Sequence, residues 1–185
     1  MIHRHEKEFP VLETKRLVLR EITTDDAHDI FKYLSDKEVM KYYGLLPFRT
    51  NQEAINEIEW YKKIYDAKTG IRWGITMKNI DAVIGSCGFL NWSQEHFRTE
   101  IGAELSKAYW RKGIMSEAFQ AIIRYGFNQM ELMRIQGLIE PPNTSSQKLA
   151  EKNGFIREGL LRKYEYAAGK FDDLYMYSLL KDDDL

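Results

Sequence analysis

One decapeptide, YWRKGIMSEA from Tyr109 to Ala118, sets a single glycine, Gly113, between a basic aromatic stretch and the first turns of an amphipathic helix. A helix start presents backbone N–H groups that have no intrahelical partner, and its aligned peptide dipoles make that end partly positive. An anion is its natural guest. Residues 111 to 116 would offer consecutive N–H groups to a phosphate. Neither a P-loop run nor a dinucleotide fingerprint of three spaced glycines occurs, so a phosphate here would be held in another way. The plain alternative is a helix start with glycine at a tight turn.

Other reactive residues are few. Cys87 is the only cysteine, which excludes an internal disulfide and a cysteine metal cluster. In AVIGSCGFL, with no histidine close in sequence to activate it, it reads as a buried strand thiol and not a nucleophile. His3, His5, His28 and His96 share no metal-ligand spacing, and no metal is expected. A formal net charge of -1 gives no bulk pull toward nucleic acid. No long uncharged apolar run and no charged-then-apolar amino end is present, which sets the expectation of a cytoplasmic protein with neither membrane span nor secretory leader.

Positioning these groups falls to a chain of 185 residues, the length of one large domain. Residues 1–10, with His3 and His5, read as a polar leader, and 11–185 as a single domain. RLVLREI alternates like a strand, and TTDDAHDIFKYL places Ala27, Ile30, Phe31 and Leu34 at helical spacing behind a cap at Thr24. Thr50 and Glu53 have capping-box spacing, and Ala54, Ile58, Tyr61 and Tyr65 form one face of the helix that follows. IRWGITM, AVIGSCGFL and RTEIGAELS read as an antiparallel meander. After it come the helix of Met115, Phe119, Ile122 and Ile123, the strand RIQGLIE, and a short helix from Asn143 to Lys152 that Asn153-Gly154 closes. FIREGLLRKYEY and FDDLYMYSLL make two last strands around AAGK. The pattern predicts an α+β fold with a mixed, mainly antiparallel sheet and helices on both faces.

LETKRLVLR, RKGIMSEA, PPNTSSQKLAEKNGFIREG and GKFDDLYMYSLL, in this order along the chain, resemble the Gcn5-related N-acetyltransferase (GNAT) superfamily over roughly residues 11 to 181. The nearest branch is that of the ribosomal-protein N-terminal alanine/serine acetyltransferases. The strict superfamily turn has Gln or Arg where this chain has Trp110, and Gly or Ala where it has Met115; tryptophan is usual in that branch. The resemblance implies that backbone N–H groups of Arg111, Lys112, Gly113, Ile114, Met115 and Ser116 hold the pyrophosphate of the cosubstrate acetyl-coenzyme A. It implies further that the strand ending AELS splays from its neighbour, so that Glu104 and Leu105 offer backbone partners to the pantetheine arm. Asn143 and Ser146 match the branch's N-x-x-S signature, the amide for the cofactor arm and the hydroxyl for the sulfur. Both also suit the start of a helix, where Asn143 would act only as a cap.

Direct acetyl transfer needs a neutral amine, a polarised thioester carbonyl and an acid for the departing thiolate. Ser146 is the candidate acid. Glu100, on the strand where many superfamily members carry an acidic residue, and Glu165, at an acidic position of the branch, compete as base, and either could be a solvated strand carboxylate. Tyr42, Tyr43 and Trp60 read as core or rim residues on the acceptor side. An α-amine has a reference pKa of roughly 7.7–8.0 against about 10.4 for lysine, which favours a protein N-terminus as acceptor. A small amine (polyamine, amino acid or aminoglycoside) and a non-catalytic coenzyme A-binding module are the competing readings. A homodimer is left open, since the strand pattern does not tell which edge would pair.

Overall fold

A computed structural model describes residues 8–167 and 169–183; His3 and His5 of the expected leader lie outside the described residues. Strands β1 (Leu12–Glu13) and β2 (Leu17–Arg20) are followed by helices α1 (Ala27–Leu34) and α2 (Asn51–Asp66). The meander is β3 (Ile71–Met77), β4 (Ile80–Ser93) and β5 (Arg98–Leu105). Then come α3 (Ile114–Gln129), β6 (Arg134–Ile139), α4 (Thr144–Lys152), β7 (Ile156–Ala167) and β8 (Lys170–Leu180). One sheet runs β1-β2-β3-β4-β5-β6-β8-β7, and β5 beside β6 is its parallel pair. This is the mixed, mainly antiparallel α+β architecture that the periodicity predicts.

Two apolar cores flank the sheet. Val83 packs with Ala27, Ile30, Leu34, Ala54 and Ile58 of α1 and α2. The next residue, Ile84, packs with Phe119, Ile122 and Ile123 of α3 and Ala150 of α4. Neighbouring strand residues point to opposite faces, so α1 and α2 cover one face and α3 and α4 the other. Cys87 is fully buried in the second core, and burial pushes its thiol up to about 12, as a structural cysteine requires. Phe9 and Pro10, placed in the leader by composition, are part of the packed structure. Phe9 lies 5.0 Å from the Tyr65 ring, and the Pro10 carbonyl accepts from Trp73 Nε1 at 2.8 Å.

Helix starts follow local chemistry. Thr50 and Glu53 form the expected capping box, with Thr50 N–H donating to Glu53 Oε2 at 2.8 Å. Thr24, however, is not the cap of the first helix. A single 3-10 turn over Thr24–Asp26 precedes α1, and Thr23 caps it, its N–H donating to Asp26 Oδ2 at 2.8 Å. Arg20 explains the shift: its guanidinium forks onto the Asp26 carboxylate at 2.8 and 2.9 Å and holds it against that turn.

Candidate active site

The α3 start has the geometry of an anion cradle. Gly113 is left-handed (φ 72°, ψ 6°), a conformation glycine adopts freely, and Arg111 is also at positive φ (59°). Glu117 N–H makes a helical bond to the Gly113 carbonyl (3.1 Å), so the amides just before it have no carbonyl four residues back. Arg111, Lys112 and Gly113 are exposed, whereas Ile114 and Ser116 are buried and anchor the turn from behind. Ser116 Oγ donates to Asn153 Oδ1 at 3.3 Å, tying α3 to the end of α4. Trp110, the departure from the superfamily turn, donates its indole N–H to the Leu105 carbonyl at 2.7 Å. Leu105 thus already spends one carbonyl lone pair on the turn.

LETKRLVLR supplies a latch. Glu117 accepts from Thr14 Oγ1 (2.6 Å), Arg16 N–H (2.9 Å) and Arg16 Nε (2.6 Å), while Arg16 Nη1 donates to the Lys112 carbonyl (3.0 Å). Burial works to raise the Glu117 carboxyl, yet these donors hold it below the usual carboxylate range. The cradle is therefore fixed from the first strands as well as from α3.

Beside the cradle the sheet parts. β5 pairs with β6 only at Arg98, Thr99 and Glu100, opposite Arg134, Ile135 and Gln136. Beyond that point β5 stays on β4 as far as Leu105, and β6 stays on β8 as far as Ile139. A wedge opens between Ile101–Leu105 and residues 137–139. At its far wall Asn143 caps α4, its Oδ1 accepting from Ser146 N–H at 3.2 Å. Ser146 itself is half-buried, and no hydrogen bond engages its hydroxyl among the described residues. Tyr42 reaches the same wall, its hydroxyl donating to the Pro142 carbonyl at 3.4 Å.

The two predicted carboxylates share a sheet face and occupy different surroundings. Glu100 is half-buried before the wedge opens, and both its oxygens are taken, by Asn91 Nδ2 (3.0 Å) and Gln136 Nε2 (3.2 Å). It borders an open cavity of about 560 Å³ shared with Arg134, Glu158 and Tyr164. Glu165 is exposed and pairs with Asp172 across β7 and β8. From Leu161 to Glu165 β7 takes four steps while β8 takes two, from Leu174 to Asp172, and this bulge places Glu165 opposite Asp172. Its carboxylate lies just under 4 Å from where a side chain on Gly44 would begin, so it meets the loop before α2. A third carboxylate joins it. Glu140, half-buried at the end of β6, has its carboxyl raised by burial and then by the charge of Asp172, with Lys170 working against the rise and Glu165 adding to it.

Beneath α2 lies a feature the motifs do not reveal. Arg72 on β3 and Glu104 on β5 form an ion pair with side chains 3% and 2% exposed. Arg72 Nε donates to Ser86 Oγ on β4 (2.9 Å), its Nη1 to the Gly102 carbonyl (3.1 Å), and its Nη2 to Glu104. Ser86 and Tyr61 hydroxyls complete the Glu104 partners, Tyr61 at 3.4 Å. Burial pushes the Glu104 carboxyl upward against the pull of Arg72. The Glu104 side chain is thus structural, whatever its backbone does. One faint signal is in the sequence: an arginine inside IRWGITM and a glutamate inside GAEL are charges on strands of the meander, and a charge that a sheet buries needs a partner, though sequence does not say which. Glu140, in GLIEPPN, carried no comparable signal.

A mixed sheet parted between its parallel strands, with a left-handed turn leading into a helix start beside the gap, defines an N-acetyltransferase. The chain belongs to the acetyltransferase (GNAT) domain family, whose model matches residues 16–156. It is 42% identical over 173 residues to the uncharacterized N-acetyltransferase YoaA of Bacillus subtilis, covering 94% of this chain and 98% of that one. It is 32% identical over 102 residues to the ribosomal-protein-serine acetyltransferase of Escherichia coli, covering 55% and 57%. The crystal structure of a GNAT-family acetyltransferase from Bacillus anthracis superposes with a TM-score of 0.82 at 32% identity, covering 92% of this chain and 98% of that one. The resemblance carried by the four motifs holds at the level of the family.

Proposed function

We propose that the chain transfers the acetyl group of acetyl-coenzyme A directly to the N-terminal amine of a protein. The observation that carries this reading is the free edge of β5 running up to the unpartnered amides at the α3 start. Amides of residues 111 to 116, with the exposed Arg111 and Lys112, suit a pyrophosphate. Backbone groups of Glu104 and Leu105 suit the pantetheine arm, and a β5 N–H suits the oxyanion that develops as the amine attacks the thioester carbon. As the C–N bond forms and the C–S bond breaks, Glu165 takes a proton from the amine and the Ser146 hydroxyl gives one to the thiolate. Glu140 is the competing base, since a raised carboxyl lies nearer neutral pH; Glu100, engaged by two amides, is better placed to hold β5 to β6.

A small cationic amine is the second reading, favoured by Glu140 and Glu165 beside an Asp172 already paired with Lys170. Thiol release from acetyl-coenzyme A, measured with peptides bearing free Ala or Ser ends, spermidine and aminoglycosides, separates the two. Turnover confined to spermidine would overturn the protein acceptor. Calorimetry on Gly113→Pro tests the donor site: the substitution removes an amide and distorts the turn, and coenzyme A affinity falls at least about tenfold. Unchanged affinity in the folded variant would discard it.

A further inference from the structure

Past Glu100, β5 is paired on one side only. A strand held by half its usual ladder is free to shift, yet this is the stretch whose backbone groups the donor site needs in place. We propose that Arg72 is a positioning residue. It braces the free-edged part of β5 from two strands away, so that acetyl transfer depends on a side chain that touches neither substrate. The proposal rests on the reading that the thioester lies along that edge.

The geometry is that of a brace. Arg72 stands opposite Gly88, and Gly88 opposite Gly102, so the row across β3, β4 and β5 has no side chain to block the guanidinium. Its three donor groups go to three points: Ser86 on the strand it crosses, and the Gly102 carbonyl and Glu104 carboxylate on the strand it holds. A planar fork with fixed N–H directions sets strand positions in a way a flexible ammonium would not. Tyr61 of α2 lies over the same group, 5.7 Å from ring centroid to guanidinium, and closes it from solvent. Stability alone does not call for this arrangement, because an apolar pair of similar volume is often as stable as a buried ion pair. What the charged pair adds is a fixed bond to the Gly102 backbone, inside the stretch where β6 has already departed.

The test uses the full chain with both partners replaced, Arg72→Met with Glu104→Met, beside Gly102→Ala. In the double variant, amide exchange at residues 101–105 accelerates while that of α3 stays at the wild-type rate. At saturating acetyl-coenzyme A, single-turnover acetyl transfer falls about ten- to a hundredfold, the cost of a misplacement near 1 Å. Wild-type transfer, or unchanged exchange at 101–105, overturns the brace. Gly102→Ala keeps both charges and covers the case in which the double variant does not fold. Its new methyl would sit 3.3 Å from Arg72 Nη1, so the guanidinium must give by a few tenths of an ångström. Its kcat falls about threefold or more with KM for acetyl-coenzyme A unchanged, and a wild-type kcat counts against the proposal. Failure of the donor-site reading looks different: Gly113→Pro then leaves coenzyme A affinity intact, whatever the exchange at 101–105.

Discussion

The same three residue types brace this sheet twice, and the two braces live in opposite environments. Arg72 crosses β4 to reach Glu104, and Ser86 of the crossed strand donates to that glutamate. Arg134 crosses β8 to reach Glu158 on β7, with both nitrogens of its fork at 2.7–2.8 Å, and Ser178 of the crossed strand donates to it at 2.6 Å. Helices α1 and α2 cover the first; the second faces the open cavity, its side chains 24% and 44% exposed. The glutamates respond in opposite directions. Burial pushes Glu104 up, while the Arg134 and Ser178 hydrogen bonds draw Glu158 down to about 2. Geometry alone therefore does not set what an ion pair contributes; access of water does.

The widest separation comes from cutting each brace at its arginine. Arg72→Met leaves Glu104 buried without its partner and costs about 3–5 kcal/mol of stability. Arg134→Met leaves Glu158 in water and costs at most about 1 kcal/mol. Urea unfolding of both variants at neutral pH reads the difference directly. Equal losses would mean that the cover over Arg72 admits water.

A smaller effect of the same origin belongs to Tyr33 on α1. Its hydroxyl, buried beside Ser86 and the Glu104 carboxylate, makes no hydrogen bond of ordinary geometry among the described residues. On the covered face an unmet hydroxyl is a desolvation cost with no return, so Tyr33→Phe gains about 1 kcal/mol, seen as a higher urea midpoint. A loss of stability would show that water or a shifted side chain satisfies the group.

The contrast also marks where sequence stops being informative. Periodicity found α1, α2, α3 and the long strands, and end signals bounded α4, because Ile122 or Leu34 needs only its own element's repeat to declare a buried face. The α3 turn was legible because glycine at positive φ, followed by an amphipathic run, is a local pattern. Arg72, Ser86 and Glu104 were not, since they come from three strands and become neighbours only through register. Thr23 was passed over for Thr24 although its capping box with Asp26 spans only three residues and lay within the reach of sequence. Phe9 and Pro10 looked like leader because their partners, Tyr65 and Trp73, lie some sixty residues on. The site roles of Ser146 and Glu165 came from family resemblance and not from local chemistry.

The smallest expected effect is an acid-pH signature confined to the open brace. The Glu158 carboxyl, ordinarily near 4.5, is held down to about 2 in the folded chain, so its ionised form is favoured by folding. A group lowered on folding contributes stability that is fully present above its unfolded pKa and is lost as pH falls toward the folded one. The window therefore runs from about pH 4.5 down to about pH 2. Exposure limits the size, and an ion pair so open to water contributes at most about 1 kcal/mol. Glu158→Gln removes the titrating group. Above pH 5 the variant is less stable than wild type by that amount, and the two unfolding curves converge as pH approaches about 2. A gap that stays constant through this range would show that Glu158 is held by its hydrogen-bond geometry to Arg134 and Ser178 and not by its charge.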